Sequence, residues 1–447
     1  MTTPLDSKIF SPLFNDIEVT HLLSDESYVR TLVDVEIALA RAEAKLGVIP
    51  SSAAAHISKV NAADVGVDEL TIGVVKSGFP IIPLVEELRR LAGPESAPYV
   101  HWGATTQDIM DTASVIQIRL VCELFEVRLN SIAANLADLC RRHRATVMAA
   151  RTHGQHALPV SFGLKAAGWL APLLRHLERL EELAPRLFVV QFGGAAGTMA
   201  ALGDKGLLVA GALAEELNLH APLLPWHTQR DAFAEFAGWL SLVSGSLGKM
   251  AQDILLMAQT EVGEVSESSD KDRGGSSTMP QKRNPILSEL IVAAAGQNAS
   301  LLSAMHHALI QEHERATHGW QMEWLALPQM MVLTGGALTH ALNLSNNLQV
   351  NAGAMRANIA RGNDVVLAEA AVFALAKIMP RSEAEGLVKK ASGMAMNENL
   401  PLIDVVKGLV SNSAIDWKAL ATPENYLGET SRIIDLVLEK MGTVSKF

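Results

Sequence analysis

The sequence predicts an all-α protein, and three observations carry that prediction. Apolar residues recur at helical spacing along almost the whole chain. Several of these periodic stretches approach 30 residues, well beyond an ordinary globular helix. Aromatic residues make up only 5% of the 447, with three Tyr, while small and aliphatic residues dominate. That composition suits closely packed helices better than a β-sandwich, which favours aromatic and β-branched side chains.

The elements follow in chain order. Residues 30–46, RTLVDVEIALARAEAKL, place Leu32, Val35, Leu39 and Leu46 on one face with charges largely opposite. Gly47 and Pro50 then end the helix. Further helices are expected over 114–142, 161–190, 232–264, 285–311 and 328–348. Segment 235–262, EFAGWLSLVSGSLGKMAQDILLMAQTEV, is apolar on most sides. A helix of that kind is a buried one, here by other subunits as well as by its own chain. Two Gly- and Ser-rich stretches separate helices. One is QFGGAAGTMAALGD at 191–204 and the other is SESSDKDRGGSST at 266–278. The second, polar and flanked by strong helices, has the profile of a functional loop.

Length and composition bound the function. A chain this long exceeds one ordinary domain and buries a large core. With 49% hydrophobic and 19% charged residues it is not a disordered chain. The net charge of −11 argues against nucleic acid or an anionic membrane as partner. Cys122 and Cys140 give no disulfide framework and fit a reducing, cytoplasmic compartment. The start, MTTPLDSKIFSPLFNDIEVTHLL, lacks the basic and apolar regions of a signal peptide. No charge-free apolar run of about 18 residues is expected to span a membrane.

Three stretches hold chemistry-bearing residues. In Gly274–Pro285, GGSSTMPQKRNP, Asn284 is a good N-cap and Pro285 a good first helical residue. Free N–H groups there, with Lys282 nearby, would make an anion site. Ser276 and Ser277 precede it on a glycine-flexible loop. Such surroundings could stabilise an alkoxide, so that a serine could act as a base. A capped helix after a Ser/Gly linker explains the same residues. In Tyr99–Thr112, YVHWGATTQDIMDT, residues His101, Thr105, Thr106, Gln107 and Asp108 crowd a helix start and suit carboxylate binding. Ordinary N-capping accounts for one or two of them. In Arg151–Pro159, RTHGQHALP, His153 and His156 share a Gly-containing turn. No further metal ligands accompany them, so a general acid fits His153 better than zinc does.

Weaker stretches remain open. QEHERATHGWQMEW, with Glu312, His313 and Arg315, could line a polar site or be a solvated connection. WHTQRD at 226–231 has the same ambiguity. Gly193, Gly194 and Gly197 lack the strand context of a dinucleotide fold, and no phosphate-binding Gly-rich lysine motif occurs.

Gly275, Ser276, Met279, Lys282 and Asn284 match the register G-S-x-x-M-x-x-K-x-N, which resembles the signature of the fumarase/aspartase superfamily. GATTQDIMDT and RTHGQHALP resemble its other two conserved regions, in the order that superfamily uses. The resemblance covers essentially the whole chain. It implies an all-helical, three-domain subunit, here 1–110, 111–350 and 351–447, with a central bundle of long helices. It also implies a homotetramer whose active sites each combine three chains. The shared chemistry would be elimination, or its reverse, beside a carboxylate. By position Ser276 would be the base, and Lys282 and Asn284 would grip one substrate carboxylate. Thr105 and Thr106 would bind the other, and His153 would be a general acid. The implied substrate is a di- or tricarboxylate, with no cofactor and no metal.

Within the superfamily, YVHWGATTQDIMDT, PWHTQRD, RGGSSTMPQKRNP and QEHERATHGWQMEW look most similar to its 3-carboxy-cis,cis-muconate cycloisomerase branch. One departure points elsewhere. Those cycloisomerases carry an apolar or aromatic residue where His153 stands. A carboxylate leaving group, of pKa near ~4, needs little protonation, whereas a leaving amine needs a strong acid. RTHGQ therefore resembles the C–N lyases that release fumarate from succinyl-type substrates.

Overall fold

The computed structural model describes residues 3–267, 275, 279, 282–410 and 414–442. Ser276 and Ser277, and most of the expected functional loop, lie outside these residues.

The N-terminal part contains α1 (Asp25–Lys45), α2 (Val67–Ser77) and α3 (Ile81–Ala92). Ser24 caps α1 by accepting from the Ser27 N–H at 3.2 Å. The expected stop also forms: Gly47 takes a left-handed φ of 66° and its N–H donates to the Ala44 carbonyl. Next comes α4 (Thr106–Arg142), which starts eight residues before the expected 114. Its buried stripe runs Val115, Ile118, Cys122, Phe125, Leu129, Ile132, Leu136 and Cys140. At 1.5 Å per residue this 37-residue helix is roughly 55 Å long. Both cysteines on it are free and buried.

A departure from the all-helical expectation follows. β1 (Val147–Thr152) and β2 (Gln155–Ser161) form an antiparallel hairpin, with Val147 opposite Ser161 and Thr152 opposite Gln155. The two-residue connection is His153–Gly154, with φ of 51° and 76°. Left-handed backbone at both positions is the type I′ turn, whose twist matches that of paired strands.

The bundle then assembles from α5 (Phe162–Leu187), α7 (Asp231–Met257), α8 (Ile286–His307) and α9 (Gly319–Asn347) around α4, with α6 (Gly206–Leu217) set against α1. Side-chain links fix the directions. Arg230, just before α7, reaches Asp111 in early α4 and Glu323 in early α9. Asn135 late in α4 meets Ser345 late in α9. So α4, α7 and α9 run parallel, while α5 and α8 return between them. α9 begins at Gly319 and passes through Pro328, where the sequence suggested its start. Burial of Leu327, Met330 and Met331 in the bundle outweighs the roughly 3 kcal/mol cost of an internal proline.

One expectation about apolar helices needs correction. α8 and α9 each contain an 18-residue window of mean hydropathy 1.2 with few charges, so by length and composition alone both could cross a membrane. The core helix of a soluble protein meets the same criterion, and 61% of the α9 window is buried in the bundle against 28% for α8. Segment 235–262 is only partly enclosed by its own chain: α7 leaves Leu242 and Leu256 each 51% exposed.

After the bundle come α10 (Ala352–Arg361), α11 (Arg381–Glu398), α12 (Leu402–Leu409) and α13 (Thr430–Met441). Buried apolar side chains form three clusters: the bundle, the N-terminal helices with α6, and the C-terminal helices with early β1. α13 is an exception among the last helices, packing on α5 in the bundle.

Candidate active site

The expected residues gather at two ends of the bundle. At the first end Thr105 precedes α4 and Thr106 is its first helical residue. Asp108 in the first turn is the organiser. Its carboxylate accepts from the Thr105 N–H (3.0 Å), the Gly193 and Gly194 N–H groups (2.9 Å each) and the His227 ring (2.8 Å). The Gly193–Gly197 turn, set aside in the sequence, is thereby drawn against the start of α4. Gly194 has φ 69°, and a side chain there would run into the Gly103 carbonyl. Arg315 closes the group, donating to Thr105 Oγ1 at 3.1 Å and to the Ala195 carbonyl at 3.0 Å. His101 takes a left-handed φ of 62°, with Nδ1 2.6 Å from Glu36 Oε1. Burial works against its charge, but Glu36 and, more weakly, Asp108 raise its pKa above the usual histidine value.

Gln107 departs from its expected place at the substrate. It is buried, and its amide donates to Asp111 and to the His227 carbonyl. It supports the helix start from behind.

Beneath this layer lies an ion triad that the sequence did not single out. Arg230 meets Asp111 at 2.6 and 3.0 Å and Glu323 at 2.9 Å, all three almost wholly buried. Trp320 Nε1 also donates to Asp111. Burial opposes the Arg230 charge, yet the two carboxylates push its pKa above normal. Burial pushes the Glu323 carboxyl up against the opposing pull of Arg230. The legible signal was a spacing. His227 and Arg230 stand three apart, as do Asp108 and Asp111, and the two pairs meet one to one.

At the second end His153 occupies the exposed tip of the hairpin with Thr152, Gly154 and Gln155. Arg151 braces the hairpin on buried Glu264 at 2.7 and 2.8 Å, and Asn358 donates to the same carboxylate. Burial and, secondarily, Arg151 lower the His156 pKa. Lys282 is exposed and Asn284 half-buried before α8, with Met279 exposed nearby. Gly275 and Arg283 pair in an isolated antiparallel bridge.

The start of α8 is not the free anion site expected from Asn284 and Pro285. Neither side chain caps it. The Glu267 carboxylate accepts from the Leu287 N–H (3.1 Å) and the Ser288 N–H (2.7 Å). An internal anion satisfies two of the end groups, and Lys282 and Arg283 stand exposed just before them.

His101, Thr105, Thr106 and Arg315 therefore lie about the start of α4, whereas the His153 hairpin and the segment carrying Lys282 and Asn284 lie towards its far end, linked through Arg151, Glu264 and Glu267. The two groups are separated by the length of α4, roughly 55 Å. One chain does not bring them to a single substrate.

The chain also has a cavity of about 500 Å³ between α1, α2 and the bundle, walled by residues such as Leu70, Val74, Phe233 and Trp324. None of the expected site residues lines it. Its apolar walls, and an Arg230 already held by two carboxylates, do not suit a polycarboxylate. Among the described residues no group of three or more His, Cys, Asp or Glu could hold a metal ion.

Comparison with known proteins places this architecture. A family model described as lyase matches residues 15–298. The 3-carboxy-cis,cis-muconate cycloisomerase of Pseudomonas aeruginosa is 44% identical, covering 97% of this chain and 96% of that one. Trans-aconitate decarboxylase 1 of Mycosarcoma maydis is 39% identical over 96% of this chain and 88% of its own. N-acetyl-S-(2-succino)cysteine lyase of Dickeya dadantii is 33% identical over 97% and 96%. The crystal structure of 3-carboxy-cis,cis-muconate lactonizing enzyme from Pseudomonas putida superposes with a TM-score of 0.92 at 39% identity, covering 98% of this chain and 100% of that one.

Proposed function

From the premise that this chain belongs to the fumarase/aspartase lyase family, we propose that it is a 3-carboxy-cis,cis-muconate cycloisomerase. The observation that carries the reading is the end-to-end similarity, at 44% identity, to a cycloisomerase of that name. The chemistry fits the groups at hand. In lactone formation one substrate carboxylate adds through oxygen to a carbon–carbon double bond. The displaced electron pair moves onto a second carboxylate, giving an aci-carboxylate dianion that is then protonated on carbon. Cations and hydrogen-bond donors held in place stabilise that dianion.

In this reading Ser276 delivers the proton to carbon, and removes it in the reverse direction. Ser277, Met279, Lys282 and Asn284 surround the same carboxylate. His101, Thr105, Thr106 and Arg315 receive another. The roughly 55 Å between the two groups within a chain supports a homotetramer in which each site draws on several copies. The thinly covered α8 and the exposed Leu242 and Leu256 of α7 would supply the contact.

A second reading rests on His153. A histidine at an exposed hairpin tip suits protonation of a poor leaving group, and the lyase of Dickeya dadantii carries a succino substrate in its name. The second reading is therefore elimination of an amine or thiol from a succinyl-type substrate, with release of fumarate.

Parallel ultraviolet assays separate the two. Loss of the diene absorbance of 3-carboxy-cis,cis-muconate supports the first. Fumarate release from adenylosuccinate or N-acetyl-S-(2-succino)cysteine supports the second. On the substrate that turns over, Ser276→Ala should lower kcat by roughly 10²–10⁴-fold with the fold intact. Wild-type turnover in that variant would remove Ser276 from the mechanism. His153→Gln should cost less than about tenfold in lactone formation but about 100-fold or more in succinyl elimination.

A further inference from the structure

His101 and Glu36 form a dyad that neither the signature nor the helix-start argument calls for. Glu36 sits on α1, 65 residues before His101, and its side chain is 1% exposed. Its Oε1 lies 2.6 Å from His101 Nδ1, and its Oε2 is buried with no hydrogen-bond partner among the described residues. A buried carboxylate with one oxygen orphaned is costly unless the remaining contact is strong, and a charge-assisted hydrogen bond to an imidazolium is such a contact. The His101 backbone is held left-handed at φ 62°, a conformation uncommon for a residue with a Cβ. The ring is 16% exposed. With Nδ1 turned into Glu36, Nε2 lies on the opposite edge of the ring, and no described residue accepts its hydrogen bond. Four residues on stands Thr105, whose hydroxyl is held by Arg315.

We propose that Glu36 is a positioning residue for the candidate site: it orients His101 and keeps it cationic, so that Nε2–H is presented to a carboxylate of the substrate. The proposal rests on the polycarboxylate reading above. Glu36 does not touch substrate. It acts through His101, as the buried acid behind a catalytic histidine fixes its tautomer and its charge. The charged groups that bear on His101 are Glu36 from α1, Asp108 from α4 and Arg89 from α3. The two acids favour the imidazolium and Arg89 opposes it, and Glu36 is the one in direct contact. Glu43, further along α1, is no substitute, because burial pushes its carboxyl up to about 9. A cationic His101 beside Arg315 gives this end of the bundle a second positive group for a polyanion.

The sign of the pH effect follows. Loss of the Glu36 charge makes His101 easier to deprotonate, so substrate binding should weaken on the alkaline side and be spared on the acid side. For Glu36→Gln in the full-length protein, kcat/KM for 3-carboxy-cis,cis-muconate should fall about tenfold at pH 8 but clearly less at pH 5, mainly through KM. A loss of equal size at both pH values would mean a merely structural role and would overturn the proposal. Glu36→Asp, which keeps the charge, should recover part of the loss at pH 8.

A second readout does not depend on turnover. In protein carrying ¹³C-labelled histidine, His101→Gln identifies the His101 resonance. Its titration midpoint should move down in Glu36→Gln, and an unmoved midpoint sinks the dyad. If Glu36→Gln does not fold, the wild-type midpoint decides: above the ordinary value of about 6.5 supports the proposal, at or below it does not. If no muconate or succinyl substrate turns over, the functional reading has failed on its own. The His101 titration, and the pH dependence of citrate binding by calorimetry, still test the dyad.

Discussion

Glu43 lies on α1 two turns beyond Glu36, wholly buried, and neither carboxyl oxygen has a hydrogen-bond partner among the described residues. Burial first, and the neighbouring Glu36 charge second, push its carboxyl up from 4.5 to about 9. The folded chain therefore holds a proton that the unfolded chain releases above pH 4.5. Linkage gives the direction: this group costs nothing below pH 4.5, and its stability cost grows as pH rises from there towards about 9. Glu43→Gln removes the titration without changing the shape of the side chain. It should nearly match the wild type in unfolding free energy at pH 5 and exceed it at pH 8 by on the order of 3 kcal/mol, measured by chemical denaturation at each pH. A difference independent of pH would show that Glu43 is paired in solution. The sequence disclosed Glu36 and Glu43 only as polar positions in an apolar-periodic helix. Their burial depends on the His101 turn and α6 closing over α1, contacts made by residues more than 60 positions away. Thr105 and Asp108 were legible for the opposite reason, since a hydroxyl and an acid three apart at a helix start are a local pattern.

At the scale of elements, the Arg230 triad ties the starts of α4, α7 and α9 into one layer beneath Thr105 and Arg315. Two buried carboxylates depend on one guanidinium, and Trp226 and Phe233 stack their rings within 5 Å of it. Arg230→Met keeps much of the side-chain volume but leaves Asp111 and Glu323 without their cation. The expected cost is about 3–5 kcal/mol, the usual penalty for removing one partner of a buried ion pair. Chemical denaturation followed by circular dichroism measures it, and a loss under 1 kcal/mol would mean that water reaches the triad. The double change Arg230→Met with Glu323→Gln should be milder than the sum of the two single changes, because the partners share one network. The same elements show what local reading delivers. α4, α5 and α7 were legible because their apolar stripes repeat every three or four residues for seven turns or more. The hairpin was not, since six- and seven-residue strands offer too few alternations. Its turn, His153–Gly154, is legible only once strands are suspected on both sides. The cap of α8 was misread towards Asn284 because Glu267, the acid that holds it, stands twenty residues away across a loop.

In the whole molecule, length decides which groups can meet. α4, roughly 55 Å long, begins at Thr105 and Arg315 and ends ahead of the His153 hairpin, and no side-chain movement spans that length. If these groups serve one reaction, each site is built from more than one copy. A homotetramer should appear in light scattering near about 190 kDa, four times the 47.9 kDa chain. Mass alone does not show that sites are shared, and mixing does. Arg315→Met disables the first end and Lys282→Met the second, so each variant assembled from one kind of chain should be nearly inactive. Co-expressed at equal levels, the two form hybrids in which some sites draw their first end from one kind of chain and their second from the other. If each site takes the two ends from different copies independently, about a quarter of the sites receive both intact. Purified hybrids should therefore recover up to about a quarter of wild-type kcat, with KM unchanged. Recovery no greater than the two parents' residual activity would mean that one chain supplies both ends, and would sink the shared-site reading.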